Sequence, residues 1–144
     1  MEGWRRKIVQ IDELPFRIYH DLKMAKSAEH AKQEATKEAE ILSGERLFAD
    51  VEKIYKIIGE PAAALAAGKK AVAHTEAVRA IGLGKHLHAE KHVNDLAKLG
   101  EYGLAAELFE ELAGVALSRG ASPKAAKLRQ RAQELRARVA QHQT

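Results

Sequence analysis

Residues 85–95, KHLHAEKHVND, hold the main local concentration of potential metal ligands in the chain: His86, His88, Glu90, His92 and Asp95. On a helix, His88 and His92 lie one turn apart on the same face, and Asp95 follows three residues later. Two imidazoles and a carboxylate at that spacing are the beginning of a zinc or nickel site, so His88, His92 and Asp95 are the expected metal ligands. A further ligand has to come from elsewhere in the chain, from His74 or a glutamate. The competing reading is a solvated, histidine-rich helix start.

Two other constellations have chemistry in reach. Between Arg119 and Arg138 the chain carries seven basic residues against the single acid Glu134, which leaves the rest slightly acidic under a net charge of +4. Lys124, Lys127, Arg131 and Arg138 fall on one broad helical face that can follow a phosphate backbone. No aromatic interleaves them, which argues against stacked single-strand reading. Their competing use is internal pairing with Glu107, Glu110 and Glu111. Arg79 and His86, with six residues between them, offer a phosphate-holding cation and a general acid or base. Ser27, Ser43, Ser118 and Ser122 have no paired histidine and acid nearby, and the sequence has no cysteine, so thiol catalysis, disulfides and cysteine-ligated metals are excluded. No cofactor is expected and no enzyme.

The elements that must position these groups are helices. Apolar residues make up 46% of the 144-residue chain but aromatics only 5%, with Ala, Leu, Glu, Lys and Arg dominant. Gly44, Gly59, Gly82 with Gly84, Gly100 and Gly120 are the expected corners. Leu47, Val51, Ile54, Tyr55 and Ile58 recur at helical spacing, Gly59 closes that helix, and Pro61 opens the next. This third helix runs to about Ala80 with Leu65, Val72 and Val78 as its large anchors. A fourth runs to Leu99. The fifth, Glu101 to Arg119, buries Tyr102, Ala105, Phe109, Leu112, Ala116 and Leu117. The last, capped by Ser122 before Pro123, has a seam of Ala125, Leu128, Ala132, Leu135 and Val139.

Ahead of these, one long helix is expected over residues 13–43, after an N-terminal arm of residues 1–12 whose Trp4, Ile8, Val9 and Ile11 fit several conformations. The C-terminal half of that helix keeps only alanine on its inner face. Such a face either packs closely against a neighbour or stands out as a dimerising arm. One domain of residues 1–144 is expected, with five shorter antiparallel helices over residues 45–142. No run approaches the ~18 apolar residues of a membrane span, and no signal peptide is read.

The corner LAKLGEYGLAAELF, residues 96–109, resembles the turn of a tetratricopeptide repeat in the placing of Gly100, Tyr102, Ala105 and Phe109. Partial matches of the same kind run through Phe109, Leu112, Ala113, Ala116, Gly120, Ala125 and Ala132, and through Phe48, Val51, Tyr55, Gly59, Ala64 and Ala71. Gly59 to Gly100 spans 41 residues, against roughly 34 in that family. The resemblance, over about residues 46–140, implies a right-handed α-α superhelix that presents a concave face to a peptide or protein. An irregular helical bundle is the alternative. Residues 86–141 are also similar to small three-helix microtubule-interacting and trafficking domains, and the Arg79/His86 spacing resembles that of HEPN-type helical ribonucleases.

The expectation is therefore an all-α, non-enzymatic, cytoplasmic module of about six helices that binds a protein or peptide, or itself through the long N-terminal helix. A nucleic-acid-binding protein using the basic last helix, or a small ribonuclease, is the runner-up.

Overall fold

A computed structural model describes residues 17, 18, 20 and 28–143. Among these the chain is all α, with six helices and no strand: α1 (Ala28–Gly44), α2 (Phe48–Ile57), α3 (Pro61–Gly82), α4 (His86–Lys98), α5 (Tyr102–Ser118) and α6 (Ser122–Gln143). Arg17, Ile18 and His20 are helical. The N-terminal arm and most of the first half of the expected long helix lie outside the described residues. No described helix is long and apolar enough to cross a membrane. The chain divides into two compact units, Met1–Ala71 and Val72–Thr144.

One device makes every corner. All five connectors are three residues long, and the middle residue of each is left-handed: Arg46 (φ 67°), Gly59 (78°), Gly84 (70°), Gly100 (89°) and Gly120 (77°). In each, the middle N–H donates to the carbonyl three residues back and the next N–H to the carbonyl five back, as Arg46 to Ser43 (3.0 Å) and Leu47 to Leu42 (3.0 Å) do. This is the Schellman closure, which satisfies carbonyls that a helix end leaves open. The third residue's carbonyl then accepts the first bond of the next helix, from Val51 to Leu47 and from Ala125 to Ala121 for example. No side chain caps α2, α4 or α5.

Two corner expectations, Gly44 and the Ser122 cap, are corrected by this pattern, and the expected Gly82–Gly84 corner is resolved to Gly84. Gly44 and Gly82 are the last residues of their helices, and the left-handed positions fall on Arg46 and Gly84. Ser122 is inside α6, whose first acceptor is the Ala121 carbonyl. At Gly100 nothing lies within 4 Å of an added Cβ, so substitution there meets backbone strain alone. Gly100→Ala is expected to cost about 1–2 kcal/mol, while Gly114→Ala inside α5, equally unobstructed, stabilises by about 0.5–1 kcal/mol. Urea denaturation followed by helical circular dichroism checks the pair, and equal signs would contradict the assignment.

The core of the first unit is Ile18, Ala35, Ala39, Leu42, Val51, Ile54, Ile58 and Ala67, with Leu47, Tyr55 and Ile57 packed against it. The alanine face of α1 is thus spent inside this unit, against α2, which carries the apolar stripe its sequence predicted. In the second unit α5 packs on both α4 and α6. Its buried face is wide: Leu104, Ala105, Ala106, Leu108, Phe109, Leu112, Ala113 and Ala116. Leu117 and Tyr102, predicted inward, are exposed and half-buried. The α6 seam is buried at Ala125, Leu128, Ala132 and Leu135.

Helix α3 inverts its prediction. Leu65 and Val72 are 61% and 62% exposed and Val78 is exposed too, while Ala64, Ala67, Ala73, Ala77 and Ala80 are buried. Alanine wins the inner face because it lets neighbouring backbones approach closely, whereas a leucine there would hold them apart.

Candidate functional site

The expected ligands come together around the corner between α3 and α4. Glu76 stands eight residues before the left-handed Gly84, and His92 stands eight after it. In a continuous helix these two would be about 24 Å apart along the axis. Here one donor atom from each of Glu76, His88 and His92 lies within 4.8 Å of the other two. The chain reverses at Gly84, and residues equidistant from the corner meet.

His88 Nε2 and His92 Nε2 are 3.3 Å apart, with the rings edge to face. That separation is within reach of an N–H···N hydrogen bond. The Glu76 carboxylate reaches to 4.0 Å from His88 Nε2. Asp95 is elsewhere: its Oδ2 is 3.9 Å from Nδ1, the opposite nitrogen of His92. Asp95 therefore lies on the far side of the ring from the cluster, beyond hydrogen-bond reach, and the glutamate that stands with the two histidines is Glu76. His74 is outside the cluster, and Glu90 is occupied by an ion pair with Lys124. The signal that would have found Glu76 is hairpin symmetry about Gly84, which needs the left-handed residue to be chosen between Gly82 and Gly84.

The corner is pinned from outside. Arg119, in the connector before α6, donates from Nη1 to the Gly84 carbonyl (3.2 Å). An added Cβ at Gly84 would displace that guanidinium and its bond, and the positive φ disfavours any side chain there. Around the corner, Leu83 and Leu87 are 60% and 79% exposed, and Val78 is also open. Arg79 and Lys85 are exposed beside them. Patches of large apolar side chains rimmed by charge are a mark of interaction surfaces.

The basic helix is largely engaged within the protein. Lys124 pairs with Glu90, Arg131 lies 3.5 Å from Glu134, and Arg138 sits over the Tyr102 ring at 5.8 Å. Arg136 grips Glu110 with two bonds of 2.8 and 3.0 Å. That hydrogen-bonded pairing lowers the Glu110 pKa below its ordinary value and raises that of Arg136. Of the three acids expected to cover this helix, Glu110 pairs with Arg136 and Glu107 adds to the charge around it, and Glu90 joins them from α4. Lys127 remains exposed on the outer face.

Compared with protein-family models, with curated proteins and with solved structures, the chain matches none.

Proposed function

We propose that this chain is a non-enzymatic helical-hairpin module, of the tetratricopeptide-like kind, that binds another protein. The observation that carries the reading is the exposure of Leu83 and Leu87 at the α3–α4 corner. Burying a leucine fully is worth about 1.5–3 kcal/mol, so leaving two in water four residues apart forgoes a large stabilisation that a partner can supply. The surroundings choose the partner. Val78 to Leu87 includes Arg79 and Lys85 and no acid, and Arg119 lies on the same corner. The fitting occupant is a protein segment with apolar anchors flanked by carboxylates. Absence of cysteine fits a cytoplasmic setting.

This surface replaces the alanine-faced first helix, whose small side chains pack inside their own unit. The intramolecular pairing of Lys124, Arg131 and Arg138 supports a protein rather than a nucleic-acid partner. The test is affinity capture from the native cell with the wild-type chain and with Leu83→Glu/Leu87→Glu, with folding checked by circular dichroism. Loss of both anchors is expected to weaken the partner at least 100-fold, about 2.7 kcal/mol or more. A partner set unchanged by the double substitution would refute the surface.

A further inference from the structure

We propose that Glu76, His88 and His92 form a divalent transition-metal site, with zinc as its fitting ion and Asp95 as the carboxylate that orients His92. The proposal stands apart from the protein-binding reading, since it uses the donor atoms rather than the exposed leucines.

The distances carry the argument. At the usual zinc–nitrogen bond of about 2.0–2.1 Å and a tetrahedral angle, two ligating nitrogens lie about 3.3–3.4 Å apart. His88 Nε2 and His92 Nε2 are 3.3 Å apart. The Glu76 oxygen, at 4.0 Å from His88 Nε2 and within 4.8 Å of His92, needs to close by about 0.6–0.7 Å on His88 to reach the same edge length. An exposed glutamate covers that by side-chain rotation.

The second carboxylate is the independent feature. Metal-bound histidines characteristically give their other N–H to a carboxylate, which fixes the tautomer and the ring orientation. Asp95 faces Nδ1 of His92 while Nε2 faces the cluster. His92 is also the most enclosed member, its side chain 14% exposed against 53% for His88. A small rotation of Asp95 from its 3.9 Å separation brings it into hydrogen-bond range of Nδ1 and would fix the His92 ring, with the other two ligands closing on it from the α3 side and from the turn before.

The donor set narrows the ion to the divalent transition metals, of which zinc fits the tetrahedral spacing. Two imidazoles and one carboxylate are too nitrogen-rich for magnesium or calcium and lack the thiolate or thioether that favours copper(I). Three protein ligands leave the fourth zinc position to water, and this position faces solvent because His88 and Glu76 are on the surface. The ion would join α3 to α4 across the Gly84 corner, closing a loop over residues 76–92.

The experiment is a titration of the untagged chain with zinc chloride, followed by calorimetry and native mass spectrometry. One ion per chain is expected. His88→Ala and His92→Ala are each expected to abolish stoichiometric binding, and Glu76→Gln to weaken it strongly. Asp95→Asn should weaken it by about 10- to 100-fold, the usual cost of losing an outer-shell partner. His74→Ala, outside the cluster, should leave it unchanged. Circular dichroism confirms that each variant is folded. No one-to-one binding by the wild type, undiminished binding by folded His88→Ala or His92→Ala, or equal loss with His74→Ala would each overturn the site.

Discussion

Leu112→Ala is expected to lower the unfolding free energy by about 2–5 kcal/mol, the range for removing a leucine from a close-packed interior. Leu112 is fully buried in α5, the helix that packs on both α4 and α6. Its neighbours in sequence on that face, Phe109, Ala113 and Ala116, are buried as well, so no exposed side chain is at hand to fill the space. Leu117, five residues on and 41% exposed, supplies the control: its truncation should stay within about 0.5 kcal/mol, as for ordinary surface changes. Urea midpoints from helical circular dichroism read both. Similar losses at the two positions would mean that α5 is buried on a different face.

Ala113→Leu is expected to destabilise by about 1–3 kcal/mol, although it adds apolar surface to an apolar site. Ala105, Ala106, Ala113 and Ala116 on α5 have no exposed area, and Ala125 and Ala132 on α6 have almost none. Small residues on two helices in contact set a short interhelical distance, and a leucine there must push the backbones apart or leave its rotamer. The sign is diagnostic. Were there slack around Ala113, the added methylenes would fill it and the variant would gain stability. The same substitution on the open face of α3, at an exposed position, would be nearly neutral.

The α6 seam and the α2 stripe were legible in the sequence because large and small apolar residues alternate there at three and four, with charges on the other side. Helix α3 was not legible from its large side chains. Periodicity weighted by side-chain size points at Leu65, Val72 and Val78, yet the alanines between them face inward. In an alanine-rich helix, close backbone approach outweighs the area of any one leucine. The corners were legible to within two residues, since glycine marks the left-handed position at four of five. The exception, Arg46, is set by the hydrogen bonds its N–H and that of Leu47 make to Ser43 and Leu42. An arginine can bear that conformation at a cost of roughly 1–2 kcal/mol, and no composition rule flags it.

The histidine cluster was half legible. Helical spacing alone brings His88 and His92 together, and it also favours Asp95, three residues beyond His92. It cannot say which nitrogen of His92 the aspartate will face. Glu76 depends on where the chain reverses, a tertiary fact. The acids that cover the basic helix divide the same way. Glu110 follows from the seam register, whereas Glu90 reaches Lys124 only because the second unit brings the start of α6 to α4 at that point.

The α3–α4 corner is the working surface proposed for this protein, and a photo-crosslinking residue placed at Leu87 in the living cell tests it most directly. Leu87 is 79% exposed, so the replacement leaves the core untouched. A discrete crosslinked species is expected at position 87 and not at Lys127, an exposed site on α6, and it should disappear when Leu83 is replaced by Glu. Crosslinks absent at 87, or formed equally from 127, would contradict the assignment.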